Sequence, residues 1–167
     1  MRPQLSPLHQ PSAWADDYVG LPWKNGGRER TGLDCWGLVR LVAAERFGAT
    51  LPAYDETVWR ERETRRDQVE SNAELAAFMS GERVKGWQPV WEAAAATKDE
   101  PLGGGKVAAG DVVLIRNLGA PIHVGIVVAP GHMLHIEEEI DAMCVPYDDG
   151  RTASRVVGFY RWEGERC

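Results

Sequence analysis

Cys35 opens the segment Asp34-Cys35-Trp36-Gly37, and the chain carries four histidines, His9, His123, His132 and His135. These are the side chains able to supply a nucleophile and to move protons near neutral pH. A cysteine attacks as thiolate, so it needs a positive local field and open access. Asp34 is a good helix N-cap, and an apolar run follows it. Cys35 is therefore predicted at the start of a helix, where the dipole is worth about half a positive charge. The glycine-rich stretch before it, Gly20 to Gly32, leaves room at the sulfur. Asp34 opposes the thiolate unless its carboxylate turns toward backbone N–H groups. The plain alternative is a buried thiol that packs as a small hydrophobe.

A thiolate nucleophile needs a base, and the base needs an orienting partner. His9 lies in a loose N-terminal segment. His123 opens His-Val-Gly-Ile-Val-Val (123–128), sharing a strand face with Gly125 and Val127 while Val124, Ile126 and Val128 point the other way. Gly125 lets a backbone or ligand approach closely. His135 sits in Met-Leu-His-Ile-Glu (133–137), on the face of Met133 and Glu137. In a hairpin the two histidines share a face only if paired positions sum to an even number. A two-residue Pro130-Gly131 loop pairs 129 with 132 and separates them. A three-residue loop or a bulge brings His135 diagonally beside His123. The sequence leaves both open, and the bland reading of His123 is a residue at a solvated sheet end.

These residues need elements to hold them. Residues 35–47 form a mostly buried helix, with Cys35, Leu38, Val39 and Val42 on one face and Gly48 as its C-terminal stop. Gly37 weakens its first turn, which implies a close approach there. Residues 11–19 predict a short helix with Ser12 near its cap. Residues 55–80 predict one or two surface helices. WQPVWE (87–92) reads as an edge strand, and 111–116, 123–128, 133–137 and 155–162 as strands. Helices first and close-spaced strands after them indicate an α+β domain with an antiparallel sheet. The whole chain, 1–167, reads as one domain, with 1–10 a loose arm and about 50–106 an insertion.

Composition closes off several classes. With 44% hydrophobic and 26% charged residues a packed core is expected. The net charge of −6 argues against nucleic-acid binding. No apolar run reaches the ~18 residues of a membrane span. Met1 to Ala15 lacks the apolar core of a secretory signal, which predicts a chain made in the cytoplasm and not exported by that route. Three cysteines do not make a disulfide framework. His132, His135 and Cys144 could be zinc ligands but lack a fourth partner at ordinary spacing. Gly103-Gly104-Gly105-Lys106 lacks the flanking residues of a phosphate loop and reads as a linker. Cys144 reads as a packing residue, Cys167 as an incidental thiol, and the charged run 60–67 as a solvated face. Trp14, Trp59, Trp87 and Trp91 suit core, groove or assembly surface.

The ordered set Gly26-Gly27, Asp34-Cys35-Trp36-Gly37, Gly110-Asp111, His123-Val124-Gly125-Ile126 and His135, twelve residues after His123, resembles the NlpC family of cell-wall peptidases. The resemblance spans roughly residues 12–162 and implies a papain-like fold. It implies Cys35 as nucleophile, His123 as base, His135 as orienting residue and the Cys35 N–H as an oxyanion donor. Asp34 would contact the substrate's amino end or the loop backbone. Trp23 stands where many members carry a tyrosine, and Trp36 where serine is usual, giving a bulkier and more apolar cleft. The implied substrate is a peptidoglycan stem peptide, commonly cut at the D-γ-glutamyl bond to a diamino acid, with no metal or cofactor. Trp36, PWKNGGRERTG before it and VVGFYRW near the end are similar to tail-associated peptidases of bacteriophages and gene transfer agents. That implies tail or baseplate proteins as partners and a phage-like tail as the final location. A structural tail-tip module and another thiol acyl-transfer enzyme are the alternatives.

Overall fold

A computed structural model describes residues 12–53, 86–117 and 120–164, the side chains of 120–122 excepted. The expected arm 1–10 with His9, the surface helices 55–80 with Trp59 and the run 60–67, and Cys167 lie outside the described residues. The described residues begin with a 3-10 turn, Ala13–Asp17. Ser12 does not cap it; its hydroxyl donates instead to the Val128 carbonyl at 3.0 Å, tying this segment to the sheet. A short hairpin follows, β1 (Arg28–Glu29) and β2 (Gly32–Leu33), inside the glycine-rich stretch that precedes Cys35.

Helix α1 spans Cys35–Phe47, as the apolar run predicts. Asp34 is extended and its carboxylate accepts from the Gly37 N–H; Gly48 ends the helix in the left-handed conformation, φ 60° and ψ 25°. The buried set Trp36, Leu38, Val39, Val42 and Ala43 runs around much of the helix. Its first turn is set into the core, while Ala44, Glu45 and Arg46 near its end face solvent.

Six strands form one antiparallel sheet: β3 (Trp87–Glu92), β4 (Val112–Asn117), β5 (Ala120–Ala129), β6 (His132–Glu137), β7 (Ile140–Pro146) and β8 (Val156–Trp162). Their order is β3-β8-β4-β5-β6-β7, so WQPVWE is the edge strand its composition suggested, and part of the expected insertion belongs to the sheet. Each face carries a core. Leu38, Val39 and Val42 of α1 meet Val112, Leu114, Val124, Ile126, Val128, Leu134 and Ile136. On the other face Val113, Ile115, Val127, Met133, Tyr147, Val156 and Phe159 cluster. Burying each large aliphatic side chain contributes about 1.5–3 kcal/mol, which locks every strand to its parity. Among the described residues no helix is long and apolar enough to cross a membrane.

Candidate active site

The β5–β6 hairpin resolves the question of parity. Its tip pairs Ala129 with His132, as a two-residue Pro130-Gly131 loop requires. Between Val127 and Ala129 the register then slips, and Val127 faces Met133 and Ile126 faces Leu134. The extra residue is Val128, so a bulge converts an odd sum of paired positions to an even one. Val127 and Met133 can then both enter the second core while Ile126 and Leu134 enter the first. Continuing that ladder puts His135 opposite Gly125, beside His123. A Cβ at Gly125 would sit 2.9 Å from the Leu134 carbonyl oxygen and 3.0 Å from Met133 Sδ, so a side chain there would push β5 and β6 apart.

His123 Nε2 and His135 Nδ1 lie 2.9 Å apart, and both rings are buried. One nitrogen must donate and the other accept. If His123 carries its proton on Nε2, it donates to His135, and its Nδ1 presents a lone pair elsewhere. A base needs that tautomer, and the His135 acceptor enforces it. Glu137 joins them, with Oε1 3.8 Å from His135 Nδ1. The Glu137 carboxylate is a group the sequence reading passed over; its signal was its place two residues along the strand from His135, on the same face.

Burial sets the electrostatics. Loss of water, then the charge of His135 and of the Arg155 guanidinium, pushes His123 down from 6.5 to about 3. Burial also lowers His135; Glu137 pulls it partly back up and Arg155 lowers it further. Both rings are therefore neutral at pH 7, and His123 is a base that becomes charged only when a compensating anion forms nearby.

The start of α1 is built from the loop before it. The Asp34 N–H donates to the Gly27 carbonyl at 3.2 Å, and the Asp34 carboxylate accepts from the Gly37 N–H at 2.7 Å. Arg28 reaches the same carboxylate oxygen at 2.6 Å and donates to the Gly27 carbonyl at 2.8 Å. Asp34 is thus turned onto the helix backbone and paired with a guanidinium, so its charge is directed away from opposing a thiolate at Cys35. The close approach that Gly37 implied is the Gly27 carbonyl, which leaves no space for a side chain there.

Of the expected site residues, the structure joins His123 to His135 and sets Asp34 and Cys35 at the helix start. Cys35 is partly buried against the first core, and His123, His135 and Glu137 gather their ligand atoms within 4.8 Å of one another. Trp23 bridges Leu33 and packs half-buried on the same core. Trp36 corrects an expectation: its ring is wholly buried, and its indole N–H donates to the Pro52 carbonyl at 3.0 Å. It fills the core beside Trp87 and does not widen or line a cleft. The imagined zinc set also separates, because Cys144 faces Leu134 across the ladder and not His135.

Comparison with known proteins agrees with this architecture. The NlpC/P60 family model matches residues 20–161. The NlpC/p60 domain of the peptidoglycan hydrolase SagA aligns at 17% identity over 89% of this chain and 92% of that chain, TM-score 0.47. An NlpC/P60 family protein from Bacillus cereus ATCC 10987 aligns at 17% identity over 89% of this chain, TM-score 0.52. A Staphylococcus aureus Mu50 protein described as similar to lipoprotein, NLP/P60 family, aligns at 20% identity over 90% of this chain, TM-score 0.48. The chain spans 38% and 39% of the last two proteins. The Bacillus cereus structure carries the likeness, and it is a likeness of fold. No curated protein sequence matches.

Proposed function

The chain belongs to the NlpC/P60 family, and from that premise we propose that it is a thiol endopeptidase that cuts peptidoglycan stem peptides. The observation that carries the proposal is the 2.9 Å contact between His123 and His135, which holds one imidazole as a neutral, oriented base. In this reading the Cys35 thiol gives its proton to His123 Nδ1 as the sulfur attacks the scissile carbonyl. The imidazolium is stabilised by the His135 acceptor and the Glu137 carboxylate. The Cys35 N–H, at the positive end of α1, donates to the oxyanion. His123 then protonates the leaving amine, and water, deprotonated by the same ring, releases the thioester as acid. The expected bond joins D-γ-glutamate to a diamino acid.

The setting we propose is a phage-like tail, where the enzyme opens the wall during genome delivery beside other tail or baseplate proteins. The tail-type segments around Cys35 and near residue 162 support it. A tail-tip module that keeps the fold without turnover is the alternative outcome of the test. Incubation with diaminopimelate-type muropeptides, read by mass spectrometry beside a Cys35→Ala control, separates the two. Loss of the γ-glutamyl bond, abolished in the control, supports the peptidase. Absence of turnover in folded protein with reduced Cys35 supports the tail-tip module.

A further inference from the structure

Among the described residues, one set of three metal-ligating side chains gathers its ligand atoms within 4.8 Å: His123, His135 and Glu137. The two imidazoles are buried and the carboxylate is partly open, its side chain 35% exposed. Such a set offers three donor atoms, with solvent access at the carboxylate. Two imidazoles and a carboxylate are the donor set of three-ligand zinc sites, in which water takes the fourth place.

Two of the three separations need only a small adjustment; the third, His123 to Glu137, lies within 4.8 Å and closes by at most about 1.5 Å. Metal–ligand bonds of about 2.0–2.1 Å at tetrahedral angles put ligand atoms roughly 3.3 Å apart. His123 Nε2 and His135 Nδ1 are 2.9 Å apart, and His135 Nδ1 and Glu137 Oε1 are 3.8 Å apart. One pair opens and the other closes by about half an ångström, within the reach of side-chain rotation.

We propose that His123, His135 and Glu137 form a site for a divalent cation of the zinc class, and that filling it switches the thiol chemistry off. The switching half rests on the peptidase reading above; the site itself does not. The mechanism is a matter of one proton. Coordination needs the lone pair of His123 Nε2, the nitrogen that otherwise donates to His135. The Nε2 proton leaves to solvent while Nδ1 takes one up from solvent, so the ring stays neutral and carries its proton on Nδ1 instead. Nδ1 is then a donor and cannot take the thiol proton. His135 changes nothing but its partner: its Nδ1 lone pair turns from accepting a hydrogen bond to holding the metal.

The test uses the purified chain and zinc alone, titrated against a chromophoric chelator. The expected result is one zinc per chain, retained in Cys35→Ser and weakened roughly tenfold or more in Glu137→Gln and in His135→Asn. Ring-nitrogen correlation spectra should show the His123 proton move from Nε2 to Nδ1 as zinc is added. The half-open position of Glu137 makes Glu137→Gln the variant that keeps the fold. Zinc affinity equal in native, Glu137→Gln and His135→Asn protein, or lost in Cys35→Ser, overturns the site. Muropeptide cleavage that continues at saturating zinc overturns the switch. A chain that binds zinc at these residues but cleaves nothing when metal-free keeps the site and removes the peptidase reading.

Discussion

Replacing Gly37 with alanine pits two rules against each other. In a helix interior, glycine to alanine is worth about 1 kcal/mol of stability. Here the new Cβ falls well under 3.0 Å from the Gly27 carbonyl oxygen and 3.3 Å from Asp34 Oδ1. An ordinary carbon–oxygen contact requires the loop to retreat on the order of 1 Å. That retreat stretches two hydrogen bonds to the same carbonyl, from the Asp34 N–H at 3.2 Å and from Arg28 at 2.8 Å. Overpacking of this kind costs about 1–3 kcal/mol, and the weakened bonds add about 1–2. Less the helix gain, the variant should lose about 1–4 kcal/mol. Urea unfolding should show a lower midpoint at unchanged slope, by about 1 M for a loss of 2 kcal/mol. An equal or higher midpoint refutes the argument, because the loop would then not be pinned against the first turn.

Three further outcomes follow from the same geometry. His123 in the folded state sits at about 3 against an ordinary 6.5, so the unfolded chain takes up its proton first as pH falls. Stability is therefore full above pH 6.5 and declines below it, with a slope approaching about 1.4 kcal/mol per pH unit from this residue; urea midpoints at pH 7.5, 6 and 5 should fall in native protein and flatten in His123→Gln. Asp34→Asn should keep the cap on the Gly37 N–H, whereas Asp34→Ala should lose it, costing about 1–2 kcal/mol more by thermal unfolding; equal losses would place the stabilisation in the ion pair alone. Trp36→Phe should cost about 1–2 kcal/mol through the orphaned Pro52 carbonyl and leave the muropeptide KM within about twofold; a large KM change without a stability loss would put the indole against substrate.

Much of this molecule is written locally. Asp34 and Gly48 announce the ends of α1, and the β-branched runs at 112–117 and 123–128 announce central strands, because each signal acts over a few residues. The features that resisted reading depend on partners far along the chain. Strand β7 carries Asp141 and Pro146 and has only one fully buried residue, Ala142, so its composition lacks the alternation of a strand. The β1–β2 hairpin hides in a glycine-rich stretch whose register is held by the segment beside it. Trp36 reads as cleft because tryptophan is large and amphipathic, yet the Pro52 carbonyl gives its N–H a partner inside the core. The spacing of His123 and His135 was legible, but their shared face rested on a single residue of slack in the ladder, visible only once the two cores are seen to hold opposite parities.

That slack has a consequence for how freely the hairpin tip can vary. In a tight, unbroken hairpin the turn dictates which side chains face each other, and any change at the tip is transmitted down both arms. Here the bulge at Val128 uncouples the tip from the arms, whose alignment is held by Val127 against Met133 and Ile126 against Leu134. The exposed Pro130 corner can then change while the histidines stay in place, whereas Gly131 is held, buried at φ 92° with its carbonyl accepting from the Tyr147 N–H. A label attached at Pro130 should therefore leave the imidazole pair undisturbed.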